Sequence, residues 1–153
     1  MRFIIAATAL LLSAVAASAS GGLSCEIDDA VLKLDVQSGV TRGMGSPVFN
    51  FQATADVLDK KAPEHLRKTS FTDEHLPQYW SDAYSLNLLL YRETVGDLPH
   101  GYVEITIKTQ PNDEEEGSYA GDYELTVWDV GPEGSTQEPL RVSHAGKVTC
   151  FVE

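Results

Sequence analysis

The chain has 153 residues and a formal net charge of −12, and 42% of its residues are hydrophobic. This length fits one domain, and the hydrophobic fraction is typical of a globular protein rather than a disordered one. The negative charge argues against binding to nucleic acid or to anionic membranes, which both need a basic surface. Two cysteines are too few for a disulfide-rich miniprotein or for a zinc site of four cysteines.

Residues 1–19 are predicted to be a secretory signal peptide. Arg2 supplies the positive charge, an apolar run extends from Phe3 to Ala17, and Ala17-Ser18-Ala19 has the small residues of a cleavage site. The run is shorter than the ~20 residues of a membrane-spanning helix. We therefore expect an exported protein, periplasmic or secreted, whose mature domain is residues 20–153 and has no transmembrane segment. Cleavage would remove one basic residue, Arg2, and change the net charge from −12 to −13.

The two cysteines lie near the ends of the mature chain. In an oxidising compartment Cys25 and Cys150 are expected to form a disulfide that joins the first strand to the last. Closing so long a loop would contribute roughly 4–5 kcal/mol. The alternative is a bacterial lipoprotein that is lipidated at Cys25. However, Gly22 stands three residues before this cysteine, where the lipidation motif has leucine.

Alternation of apolar and polar residues predicts about seven strands. Their apolar positions lie within Leu32–Val36, Phe49–Ala55, Leu86–Leu90, Val103–Ile107, Tyr123–Val127, Leu140–Val142 and Val148–Val152. Turn signals separate them, among them Asn112-Asp113 and Ala145-Gly146. One apolar face per strand predicts an all-β domain, a single antiparallel β-sandwich, with a small barrel as the alternative.

The segment Ser118–Leu125, with the sequence Ser-Tyr-Ala-Gly-Asp-Tyr-Glu-Leu, resembles the tyrosine-corner segment of immunoglobulin-like domains. Tyr123 takes the place of the corner tyrosine, and Leu125 stands where antibody domains carry a cysteine. The resemblance covers eight residues and implies an immunoglobulin-like topology as one option for the sandwich. It implies nothing about function.

One long irregular connection is predicted from Asp56 to Asp82, with a short helical turn after Pro63 and a second turn that Pro77 would end. The connection holds a cluster of four basic residues: Lys60, Lys61, Arg67 and Lys68. The cluster is either a patch for an acidic partner or a set of solvated charges. In the second case the four charges would pair with Asp56, Asp59 and Glu64.

Three aromatic residues are further candidates for partner binding. Tyr79 and Trp80 end the long connection, where they would form a binding site or close the open end of a sandwich. Trp128 falls on the outward face of its strand, together with Glu124 and Thr126. An outward tryptophan needs a cover, which would come from the long connection or from a partner.

No pattern typical of a metal site or an enzyme is present. The four histidines, His65, His75, His100 and His144, lack the spacing of metal ligands. Asp113–Glu116 lacks the spacing of a calcium loop and is expected to be a solvated hairpin tip. The motifs of nucleophilic and phosphate-binding enzymes are missing too. We therefore expect no metal, no cofactor and no enzymatic activity, with a carboxylate-based hydrolase as the alternative.

These observations predict an exported, non-enzymatic binding protein of the periplasmic inhibitor or immunity type. A small acidic domain is suited to steering towards a basic macromolecular target. The alternative is a carbohydrate- or small-ligand-binding module of the cell envelope, in which Tyr79, Trp80 or Trp128 stacks on the ligand. A purely structural envelope protein is the remaining alternative.

Overall fold

The computed structural model describes residues 20–41, 48–82 and 84–153. Nine strands make up this part of the chain: β1 (Ser20–Asp28), β2 (Leu32–Thr41), β3 (Val48–Val57), β4 (Lys68–Thr72), β5 (Gln78–Ser81), β6 (Leu86–Glu93), β7 (Gly101–Pro111), β8 (Ser118–Asp129) and β9 (Leu140–Val152). The helical pieces are α1 (Glu64–Arg67) and a 3₁₀ turn (Asp73–His75). Among the described residues, no helix is both long enough and apolar enough to cross a membrane. The predicted signal peptide lies outside these residues.

All nine strands belong to one antiparallel sheet with the order β4-β3-β2-β1-β9-β8-β7-β6-β5. The sheet consists of two meanders, β1–β4 and β5–β9, which meet where β1 pairs with β9. It curls into a half-barrel around its own apolar face. The all-β prediction is therefore confirmed. The seven-strand sandwich is not confirmed, because a sandwich of any topology needs two sheets and the described strands form one.

Alternation along each strand builds the core. In β7, for example, Val103, Ile105 and Ile107 are fully buried, whereas the residues between them face outward. Equivalent inward positions of the other strands join them in one continuous cluster. Burial of this apolar face is the main force that curls the sheet, because a flat sheet of nine strands would leave that face in water.

The long connection is more ordered than predicted. Its two expected turns are present as α1 and the 3₁₀ turn, but it also contains the strands β4 and β5. These strands have only five and four residues. Thr69 and Phe71 are the buried positions of β4. Two inward residues make too short an alternation to identify a strand from sequence.

The predicted turn at Ala145-Gly146 is wrong, because both residues lie inside the continuous strand β9. Gly146 is the cross-strand partner of Tyr123. A Cβ atom at Gly146 would lie 2.6 Å from Cε1 of the Tyr123 ring. The glycine therefore makes room for a buried aromatic ring and does not reverse the chain.

The predicted disulfide is confirmed. Cys25 of β1 and Cys150 of β9 are directly opposite each other, with their Cα atoms 4.0 Å apart and a sequence separation of 125. Both are buried. The bond crosses the junction between the two meanders.

Candidate functional site

Three aromatic side chains lie side by side on the outward face of β6, β7 and β8. The ring centroids of Tyr91 and Tyr102 are 5.3 Å apart, and those of Tyr102 and Trp128 are 5.7 Å apart with an interplanar angle of 21°. The rings of His100 and Trp128 meet in an edge-on arrangement, with their centroids 5.4 Å apart. Strand pairing brings them together, because Tyr102 is the direct partner of Trp128. We call these four residues the aromatic patch.

Trp128 is thus covered by Tyr102 of β7 and by His100, which ends the loop between β6 and β7. Its predicted outward position is in line with this arrangement. Within the described part of the chain, its aromatic neighbours are Tyr102 and His100, neither of which belongs to the long connection. All four rings of the patch keep part of their surface in solvent. Stacked aromatic pairs contribute about 0.5–1.5 kcal/mol beyond their burial, so the patch is a preorganised surface.

Carboxylates border the aromatic patch. The Tyr91 hydroxyl donates a 2.7 Å hydrogen bond to Glu93 Oε1, and Glu104 is the cross-strand partner of Tyr91. Burial, together with this hydrogen bond, raises the pKa of Tyr91 to about 12. The phenol is therefore neutral near neutral pH, and the negative charge beside the patch belongs to Glu93 and Glu104.

Exposed apolar side chains lie in the two loops that adjoin the patch along the chain. The Val130 N–H donates to the His100 carbonyl at 2.9 Å, which holds the β8–β9 loop against the β6–β7 loop. Val130 and Leu98, in these loops, are 41% and 50% exposed. Aromatic rings next to exposed apolar side chains and rimmed by charged groups are typical of a protein-binding surface.

The other predicted aromatic residues lie elsewhere. Trp80 is 48% exposed on β5, where its cross-strand partner is Asn87. Trp128 pairs with Tyr102, which in turn pairs with Glu93 of β6. Glu93 is six residues beyond Asn87, and six residues of a strand span roughly 20 Å. The two tryptophans are therefore not brought together. Tyr79 packs against the core, and its hydroxyl accepts a 3.1 Å hydrogen bond from the Val48 N–H.

Three of the four clustered basic residues are exposed, namely Lys60, Lys61 and Lys68, whereas Arg67 is half-buried. The Arg67 guanidinium donates to the carbonyls of Ala62 (2.9 Å) and Lys60 (2.8 Å), so it holds its own loop together. Lys68 lies on β4 opposite Asp56, whereas Lys60 and Lys61 are exposed in the loop before α1. Among the described residues, none of the four forms an ion pair within 4.0 Å.

Two histidine–aspartate contacts attach the loop that contains α1 to the strands. His144 Nε2 is hydrogen-bonded to Asp59 Oδ2 at 2.8 Å. His65 Nε2 lies 2.9 Å from Asp129 Oδ2, but this close contact does not have the geometry of a hydrogen bond. The Lys61 backbone N–H and then His144 lower the pKa of Asp59 below its usual value. Sequence analysis missed both pairs, because each joins residues that are far apart along the chain. Among the described residues, no group of three or more His, Cys, Asp or Glu side chains is arranged to hold a metal ion.

Tyr123 makes a further long-range polar contact. Its hydroxyl donates a 2.5 Å hydrogen bond to Asp29 Oδ2, whereas Asp29 Oδ1 accepts from the N–H groups of Val31 and Leu32. Burial alone would raise the pKa of Asp29, but these hydrogen bonds outweigh it and lower the pKa. Burial, and then the bond to Asp29, raise the pKa of Tyr123. The resemblance to a tyrosine corner is therefore limited, because the partner is a side chain 94 residues upstream.

Comparisons with protein-family models, with curated proteins and with solved structures give no match.

Proposed function

We propose that this protein is an exported, non-enzymatic binding protein, of the inhibitor or immunity type, that engages a protein partner through the aromatic patch. The observation that carries the proposal is the stacked row of Tyr91, Tyr102 and Trp128 on an outward strand face, beside exposed apolar loops. Export is inferred from the sequence of residues 1–19, and the Cys25–Cys150 disulfide is compatible with it.

Charge supports a basic partner. The chain carries an excess of 12 negative charges, and Glu93 and Glu104 stand beside the patch. Long-range attraction would steer a basic protein towards this surface, and the buried aromatic contact would then hold it. Binding is therefore expected to weaken as ionic strength rises, because salt screens the steering charges.

The ring geometry favours a protein over a carbohydrate. A sugar binds to the open face of an aromatic ring, but the rings of Tyr102 and Trp128 face each other at 21°. The exposed Leu98 and Val130 beside them suit the apolar side chains of a protein. A glycan-binding module remains the second candidate from the sequence, and Trp80, which is half-exposed, would be its stacking residue.

The test compares two tryptophan variants of the exported protein, immobilised and exposed to an envelope extract. Trp128→Ala should reduce capture of a stoichiometric partner by at least ~10-fold, as expected for a central aromatic contact. Trp80→Ala is the matched control, because it removes an exposed tryptophan outside the patch, and it should change capture by less than about twofold. Thermal unfolding checks that both variants are folded.

Equal capture by wild type and Trp128→Ala would overturn the assignment of the patch. If no partner is retained and glycans quench the tryptophan fluorescence in a Trp80-dependent manner, the carbohydrate-binding function takes its place.

A further inference from the structure

The strand β9 has a long free edge. It pairs with β8 along nearly its whole length, from Leu140 to Phe151, whereas its ladder with β1 runs only from Val152 to Thr149. The β1–β9 ladder ends at Thr149, because β1 ends two residues after the partner of Thr149 and the chain then turns into β2. We call residues 140–146 of β9 the free edge. In this stretch, no backbone hydrogen bond from another described segment reaches the side of β9 that faces away from β8.

The direction of the unpaired backbone groups follows from the ladder. The Glu153 N–H donates to the Gly22 carbonyl at 2.9 Å, so alternate residues of β9, counted back from Glu153, direct their N–H and C=O groups towards the β1 side. At the free edge these residues are Arg141, Ser143 and Ala145. All three are exposed. Three donors and three acceptors therefore lie in one row without a backbone partner from the described residues.

The free edge lacks the backbone features that prevent strand pairing, although the loops of Asp59 and Asp29 approach its partly buried residues His144 and Gly146. It contains no proline, and its register with β8 has no bulge. The outer edges of β4 and β5 are shorter, five and four residues, and at β4 the Ser70 carbonyl already accepts a hydrogen bond from the Arg92 guanidinium. Among the described strands, residues 140–146 of β9 form the longest edge without backbone partners on one side.

We infer that a partner protein docks on this edge as an extended segment and adds a tenth strand beside β9. The inference rests on the proposed function, because it specifies how the protein partner binds. Arg141 is the cross-strand neighbour of Trp128, so the added strand would continue the row of the aromatic patch. Its recognition would combine main-chain hydrogen bonds at the free edge with side-chain contacts near Trp128.

The charge of Arg141 favours a segment of a partner protein over a second copy of this chain as the molecule that pairs with the free edge. Within the described chain, Arg141 has no carboxylate within 4.0 Å, so a partner segment with Asp or Glu opposite Arg141 gains an ion pair. A second copy of this chain is less suited. Antiparallel pairing of two free edges centred on Ser143 would place each Arg141 opposite Ala145, and neither arginine would meet a carboxylate.

The first experiment selects displayed random ten-residue peptides on the wild-type protein and measures binding of the enriched peptides to two proline variants. Ser143→Pro removes one N–H of the free edge and leaves the β8 ladder intact, because the Ser143 N–H does not point to β8. It should weaken binding at least ~10-fold. Ser70→Pro is the matched control, because it places proline on the edge of β4 at a residue whose carbonyl also points away from the partner strand. This variant should bind the enriched peptides as tightly as the wild type does. Absence of enriched peptides, or equal binding to both variants, would overturn the inference.

The second experiment does not depend on a proline variant. Amide hydrogen exchange of the wild-type protein should show fast exchange for Arg141, Ser143 and Ala145, between slowly exchanging neighbours that bond to β8. Adding an enriched peptide should protect these three amides. Protection elsewhere would overturn strand addition, and protection without peptide in a dimeric protein would make a second copy the occupant.

A partner captured from the extract separates the two proposals. If its binding is lost in Trp128→Ala but kept in Ser143→Pro, the proposed function stands and strand addition at β9 is wrong. If no partner is captured, the failure belongs to the proposed function.

Discussion

At the scale of single residues, the bond between Tyr123 and Asp29 ties β8 to the turn between β1 and β2. Tyr123→Phe removes a 2.5 Å hydrogen bond to a carboxylate and leaves Asp29 Oδ2 without this donor. We expect a loss of about 1.5–3 kcal/mol in the free energy of unfolding, measured with urea. Tyr91→Phe is the control, because it removes a hydroxyl bonded to the exposed Glu93 and should cost about 1 kcal/mol or less. Equal losses in the two variants would contradict this ranking.

The carboxyl groups of Asp29 and Asp59 make stability depend on acid pH. Both have a lower pKa in the folded protein than the usual 3.8. The unfolded chain therefore takes up protons first as the pH falls, and the stability present above pH 3.8 is lost as the pH falls through the folded pKa values. Urea unfolding between about pH 7 and pH 3 should show this decline.

The variant Asp29→Asn tests the source of the acid dependence. It removes one of the two groups and should make the decline below pH 4 shallower, at the cost of a lower stability near neutral pH. An unchanged decline would show that other carboxylates determine the acid sensitivity.

At the scale of the elements, the loop that contains α1 closes one end of the half-barrel. Leu66 is 4% exposed, and its Cδ1 lies where a side chain on Gly101 would have to go. Leu66→Ala should therefore lower the free energy of unfolding by about 2–4 kcal/mol, because it leaves a cavity under β7. The exposed Leu98 is a matched control, since Leu98→Ala should change stability by about 0.5 kcal/mol or less. A small effect at Leu66 would indicate that the loop collapses onto the cavity.

The elements also show why sequence predicts strands better than their arrangement. Alternation identified most of the long strands, such as β7 with Val103, Ile105 and Ile107, because each has three or more inward residues. The prediction missed β1, although Leu23, Cys25 and Ile27 are buried there, and it divided β9 into two strands. Alternation cannot identify β4 and β5, which are too short, or distinguish one curled sheet from two packed ones. Both architectures bury one face of each strand, and only the pairing of β1 with β9 decides between them.

The candidate site was predictable only in part, because alternation gives the face on which a residue lies but not its neighbours on other strands. The outward position of Trp128 follows from alternation within β8, because inward neighbours such as Val127 are buried. Its contact with Tyr102 depends on the register between β7 and β8, and that register is set by the loops and the core of the whole sheet. Sequence could therefore identify one member of the aromatic patch and not the others.

At the scale of the whole molecule, the described strands of the two meanders pair with each other at one junction, between β1 and β9. The ladder between β1 and β9 has four residue pairs, whereas the ladder between β8 and β9 has twelve. The Cys25–Cys150 disulfide lies within the shorter ladder. It therefore reinforces one of the two shortest ladders among the described strands, and it links positions 125 residues apart.

Reduction of the disulfide should consequently affect the whole molecule. Loop closure over this length stabilises the folded state by about 4–5 kcal/mol, because the cross-link restricts the unfolded chain. We expect urea unfolding of the double variant Cys25→Ser/Cys150→Ser to show a loss of this size. Reductant should have the same effect on the wild type and none on the variant, since the chain has no free cysteine. Amide exchange should rise first in β1 and β2, because the backbone pairing of this half with the second meander would then consist of the four β1–β9 pairs. Uniform exchange across both meanders would mean that the shared core, rather than the junction, couples the two halves.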